Sequence, residues 1–159
     1  MSRIDDLIKQ GLDESGEVLT LREKFLGVRG LMQLAVNPAL ANVKKLVLPS
    51  NQASDEGAEA LAESPYLQNL ESLNLNHNEI GDDGAIALAQ TENMPKLREL
   101  SMFGNAIGDA GAQAFANSPT SKKYIKLDLY KNQFSSIGYK ALTESENLKN
   151  CEELEIYRD

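Results

Sequence analysis

His77, Ser101 and Asp128 are the residues of this chain whose types could combine for nucleophilic chemistry: a base, a hydroxyl and a carboxylate. They are far apart in sequence, so a fold must first bring them onto adjacent strands. Nothing in the sequence points to donors for an oxyanion, and such polar side chains are ordinary on a strand surface. His77 is the only histidine and Cys151 the only cysteine, which excludes paired-histidine and cysteine-rich metal sites. Gly104-Asn105-Ala106-Ile107-Gly108-Asp109 looks superficially like a phosphate loop but lacks the Lys-Ser/Thr ending. Asp82 and Asp83 match no calcium-loop spacing. The chain is therefore read as non-enzymatic, with no metal and no cofactor.

The elements that would carry such residues are set by a repeat. Asn51, Asn78, Asn105 and Asn132 fall 27 residues apart. Gly57, Gly84, Gly111 and Gly138 keep the same step, as do Leu46, Leu73, Leu100, Leu127 and Leu154. Fixed self-similarity at this period predicts a solenoid of stacked coils. Within one unit, Leu73 and Leu75 alternate with polar residues, the pattern of a half-buried strand. Asn78 ends that strand, where its amide can bond backbone groups of its own coil and of its neighbour. The asparagines Asn51, Asn78, Asn105 and Asn132 are thus assigned a structural role.

A short helix follows each turn. Ala85, Ile86, Leu88 and Ala89 give it an apolar face. Asp82 is expected to cap this helix, with Asp55, Asp109 and Ser136 as its counterparts. Gly84 is expected where one helix must approach the next closely, since glycine within a helix otherwise costs about 1 kcal/mol. Ser64-Pro65, Met94-Pro95 and Ser118-Pro119 end the helices. Each unit therefore reads strand, turn, helix, loop. The helix supplies the crossover that parallel strands need, and its greater bulk curves the stack with strands inside.

The pattern L-x-x-L-x-L-x-x-N-x-I followed by G-D-x-G-A-x-A-[LF]-A resembles the leucine-rich repeat superfamily, from about Gly16 to the end of the chain. The helical outer segment is similar to the ribonuclease-inhibitor-like class, which includes the repeats of Ran GTPase-activating protein and of bacterial GALA-type proteins. The resemblance implies an α/β fold, a right-handed solenoid forming a horseshoe segment, with parallel strands on the concave face and helices on the convex face. It also implies a protein partner, one alternative being a regulator of a small GTPase. It supplies no site residue.

A single domain is expected over residues 1–159: a capping helix in 1–15, a degenerate repeat in 16–42, four full repeats in 43–150 and a terminal half-repeat strand in 151–159. Ile4, Leu7, Ile8 and Leu12 form the stripe of the capping helix. In the degenerate unit Lys24 replaces the asparagine. The last strand lacks a cap, which raises a second possibility, a homo-oligomer or longer scaffold paired through this C-terminal edge.

A net charge of −8 opposes binding to nucleic-acid backbones. No apolar stretch long enough to span a membrane and no leader-like apolar segment is evident. With a single cysteine, a cytoplasmic protein without disulfides is expected.

The strand residues flanking the core leucines should face the concave side. There, Phe103, Tyr130 and Tyr157 occupy one column after Arg22, Pro49 and Asn76. Asn76, His77, Glu99, Lys126, Asp128, Lys131 and Glu155 complete a candidate surface for a protein or peptide partner of unknown identity. Simple cross-strand packing of the rings is the competing reading.

Overall fold

The computed structural model describes residues 1–156. Its elements run α1 (Arg3–Gly11), β1 (Val18–Thr20), α2 (Gly27–Ala35), β2 (Lys45–Val47), α3 (Ser54–Ala62), β3 (Ser72–Asn74), α4 (Asp82–Gln90), β4 (Glu99–Ser101), α5 (Asp109–Asn117), β5 (Lys126–Asp128), α6 (Ser136–Thr143) and β6 (Glu153–Glu155). The strands form one six-stranded sheet in chain order, and every pairing is parallel. The 27-residue period is the register itself: Leu19 pairs with Leu46, Leu46 with Leu73, Leu73 with Leu100, Leu100 with Leu127 and Leu127 with Leu154. These leucines and the column Leu21, Leu48, Leu75, Met102, Leu129 and Ile156 point into one continuous core against the helices. Strands about 4.8 Å apart facing helices about 10 Å apart bend the stack towards the sheet side.

At the N-terminal end, α1 buries Ile4 and Ile8, with Leu7 and Leu12 half-buried against the same core. Ser2 and Asp5 form a reciprocal capping box. Asp5 also accepts from Asn37 Nδ2 at 3.0 Å, which ties α1 to the first coil.

Three side-chain ladders run along the stack. The first is the asparagine column. Asn78 Oδ1 accepts from the backbone N–H of Asn51 at 2.9 Å and of Ala53 at 3.3 Å, and its Nδ2 donates to Leu48 O at 2.8 Å. Asn105 repeats this one coil on, accepting from Asn78 N and Ile80 N and donating to Leu75 O. Asn132 Oδ1 accepts from Ile107 N, and its Nδ2 donates to Met102 O. Asn51 receives Lys24 N, so the degenerate turn remains on the ladder although it contributes no amide of its own.

The second ladder corrects the capping expected from sequence. Gly81 and Gly108, not Asp82 and Asp109, are the N-caps of α4 and α5, Ala53 caps α3, and Ser135 rather than Ser136 caps α6. Each aspartate instead reaches the helix of the following coil. Asp55 Oδ1 accepts from Gly81 N and Gly84 N at 2.7 and 2.9 Å, and Asp82 Oδ1 from Gly108 N and Gly111 N at 2.8 Å each. Asp109 does the same for Ser135 N and Gly138 N. The physical reason is position: these aspartates already lie inside the first turn of their own helix, whereas the unsatisfied N–H groups of the next helix lie directly across the groove.

The third ladder closes the opposite helix ends. Ser64 Oγ donates to Ala35 O, Thr91 Oγ1 to Ala62 O, Thr120 Oγ1 to Ala89 O and Ser145 Oγ to Ala116 O. Those carbonyls end α2 and α3 and lie in the last turns of α4 and α5, where no intrahelical partner exists. Successive helices are thus held at their N-terminal ends by the coil before and at their C-terminal ends by the coil after.

A pH test follows for the second ladder. The Ser135 hydroxyl holds the Asp109 carboxyl below its ordinary value; burial, the next effect in size, opposes it, and the backbone N–H groups of Ser135 and Gly138 add to the lowering. A depressed folded value contributes stability that is complete above the unfolded value of about 3.9 and is lost as pH falls through the folded one. Stability of Asp109→Asn should therefore decline less than that of the wild type below pH about 4. Parallel urea-melt series over that interval measure the difference, and identical declines would remove Asp109 as the cause.

Candidate partner-binding face

The strand residues not used by the core form the concave surface. Along the strands, the register places Lys45, Ser72, Glu99, Lys126 and Glu153 in one row and Val47, Asn74, Ser101, Asp128 and Glu155 in another. A shallow depression there is lined by Ser72, Asn74 and Ser101 together with the charged Lys45, Glu99, Lys126 and Asp128. A third row continues past the strand ends through Asn76, Phe103 and Tyr130.

This last row holds the aromatic residues expected to meet. The Phe103 and Tyr130 rings lie 5.7 Å apart, tilted by 46°. His77 adds an edge contact to Phe103 at 5.1 Å and 85°, and Lys131 Nζ stands 5.9 Å from the centre of the Tyr130 ring. Phe103 and Tyr130 are half-buried and His77 is exposed. Tyr157, the third ring of the expected column, lies outside the described residues.

Several of the predicted residues have internal duties. Asn76 Oδ1 accepts from Ser101 Oγ at 2.6 Å and from Phe103 N at 2.9 Å, so it fixes the backbone under the ring. Asp128 Oδ1 accepts from Tyr130 N at 3.0 Å, while its Oδ2 has only a long 3.5 Å contact from Ser101 Oγ. Lys126 pairs with Glu153 at 3.3 Å. Its ammonium is held above the ordinary lysine value, first by Glu153 and more weakly by Glu99 and Asp128. Glu99 is exposed and Glu155 half-buried at the same surface.

The three residues that could have formed a relay do not form one. Ser101 turns to Asn76, and His77 packs on Phe103 and over Gly104, where an added Cβ would collide with the imidazole. Among the described residues no three His, Cys, Asp or Glu side chains are grouped to hold a metal, and no helix is long and apolar enough to cross a membrane.

Sequence reading missed the backbone that aims this surface. Glu23, Ser50, His77, Gly104 and Lys131, one per coil, all have left-handed φ between 50° and 70°. Phe25, Gln52 and Glu79, two residues on, share it. In these first three coils the two left-handed residues flank the asparagine position, and the N–H at that position donates to the amide oxygen of the next coil's asparagine: Lys24 to Asn51, Asn51 to Asn78 and Asn78 to Asn105. Gly104 at this column was the clearest sequence signal, and it was obscured because Glu23, Ser50, His77 and Lys131 take the same conformation with a side chain.

The repeats now carry their identification. A leucine-rich repeat family model matches residues 39–62, 66–89 and 93–116, three segments in the register of the sheet. This chain belongs to the leucine-rich repeat superfamily. The solved structure described as leiomodin-1 actin-binding site 2 is similar to this leucine-rich repeat protein over 94% of its length and 90% of the other, with a TM-score of 0.68 and 17% sequence identity. At that identity the likeness is one of fold. No curated protein matches the sequence.

Proposed function

We propose that this protein is a non-enzymatic interaction module that takes a protein or peptide partner on its concave strand face, centred on Phe103 and Tyr130. The observation that carries the reading is the run of touching rings His77, Phe103 and Tyr130 across three adjacent coils on the solvent side of the sheet. Rings half-buried by their neighbours lose little rotamer freedom on binding and still offer a wide apolar surface. Protein binding by leucine-rich repeats in general, and the name of the leiomodin neighbour, favour a protein as the ligand class. A small GTPase is one such ligand that the resemblance implies, though no residue of the face selects it.

Quantitative capture from native lysate, with wild type beside a Phe103→Ala/Tyr130→Ala variant, identifies ring-dependent partners. For such a partner, Tyr130→Ala alone should weaken binding by about 2 kcal/mol while changing folding stability by less than about 1 kcal/mol. Retention of every partner after loss of both rings would overturn the reading, as would a stability loss large enough to explain the binding loss.

Self-association is a second reading, favoured by the groove lined by Tyr139, Thr143, Leu154 and Ile156 and by the exposed Ile137 on the helix that carries Tyr139 and Thr143. Sedimentation over a concentration series decides it, and a strict monomer removes it.

A further inference from the structure

The concave sheet face is divided by charge. Its β1–β2 end presents Arg22 and Lys45, with Glu23 at the rim, and β3 contributes the neutral Ser72, Asn74 and Asn76. Its β4–β6 end presents Glu99, Asp128, Glu153 and Glu155 against Lys126 on the same strands, while Lys131 at the rim lies over the Tyr130 ring. Lys126 is already paired with Glu153. That leaves Glu99, Asp128 and Glu155 without a lysine or arginine salt bridge among the described residues. Asp128 is the best placed of these. Tyr130 N–H orients one carboxylate oxygen, the other has spare acceptor capacity, and the Phe103–Tyr130 pair stands beside it.

We infer that the occupant of this face is an extended partner segment lying across the strands, with an arginine over Asp128 and the Phe103–Tyr130 rings and its acidic end over Lys45 and Arg22. A guanidinium is the complementary group because it can bond a carboxylate through its edge and stack on a ring through its face. An ammonium can do only the first at full strength. From β1, which Arg22 follows, to β5, which carries Asp128, the face spans about 19 Å, the reach of about six extended residues. Such a segment would meet both charged ends at once. The inference rests on the concave face being the binding surface and adds the chemistry of what binds there.

The test uses three short glycine-serine peptides, carrying arginines, lysines or glutamates at matched positions, titrated into the full chain near 0.15 M salt. Backbone amide shifts locate each one. The arginine peptide should move the amides around Phe103, Asp128 and Tyr130, and the glutamate peptide those around Arg22 and Lys45. Asp128→Asn keeps the oxygen that Tyr130 N–H needs and should weaken the arginine peptide about fivefold to tenfold. Asp83→Asn, an equal change of net charge at an exposed position on α4, should change it less than twofold. The lysine peptide should bind more weakly than the arginine one. Equal losses from both substitutions, or shifts spread over the helices, would show general attraction to an acidic protein and overturn the inference. If Phe103→Ala weakens peptide binding and Asp128→Asn does not, the face is correct and the arginine assignment falls. If neither does, both fall.

Discussion

Replacing Asn78 with alanine should lower folding stability by about 3 kcal/mol, the largest loss expected from any polar substitution in this chain. Asn78 is fully buried. Its amide oxygen takes the N–H groups of Asn51 and Ala53, and its amide nitrogen serves the carbonyls of Leu48 and Asn76. Alanine removes all four contacts and leaves backbone groups of two coils with no partner and no water. Each stranded group costs about 1–3 kcal/mol, and partial relaxation of the turn keeps the total below the simple sum. Asn132 makes the same kind of contacts but is only half-buried, so water can replace part of them and Asn132→Ala should cost about half as much. Urea unfolding of the two variants, with m-values compared to wild type, measures both. A loss under 1 kcal/mol at Asn78 would show that the ladder does not hold the turns.

Gly111→Val should cost a similar amount, about 3 kcal/mol, by forcing α5 away from α4. A Cβ at Gly111 would lie 2.6 Å from Ile107 Cγ2, 2.9 Å from Asp82 Oδ1 and 3.0 Å from Ala85 Cβ. The same backbone N–H is one of the two held by Asp82, so displacing the helix also breaks its cap. Gly111→Ala gives a cleaner test of sign. Helix propensity alone favours alanine by about 1 kcal/mol, whereas close approach of the helices makes it destabilising. Thermal and urea melts of the two variants should both fall below wild type. A stabilised Gly111→Ala would mean that the helices have room to spare.

Much of this architecture was legible in the chain because a solenoid converts sequence period into spatial register. Leu73, Asn78 and Gly84 each had one reading that repeated at every turn, and the paired strands and close helix contacts follow from it. Asp82 was misread because the sequence shows only that an aspartate lies near a helix start. Whether it serves its own helix or the next depends on which unsatisfied N–H groups lie nearer, and that distance exists only once the coils are stacked. The hydroxyls of Ser64 and Thr91 were hidden for the same reason.

The candidate face divides along the same line. Phe103 and Tyr130 share a column, so their contact could be expected, and His77 was placed beside them at the turn. Asn76, however, spends its oxygen on Ser101 and on the backbone of Phe103, a duty that no spacing reveals. The left-handed turn at Lys131 was equally invisible, since lysine does not favour it, and at His77 the residue type alone is too weak a signal to place one.

Period and side-chain alternation alone determined that this chain is a stack of parallel coils, which residues fill its core and which column crosses its inner surface. Tertiary structure decided which polar groups are consumed by neighbouring coils and which remain able to meet a partner. The reason is that a column fixes only which residues are adjacent. Hydrogen bonds depend on differences of a few tenths of an ångström in the separation of atoms from different coils, and those are set by how closely the helices and turns settle against one another.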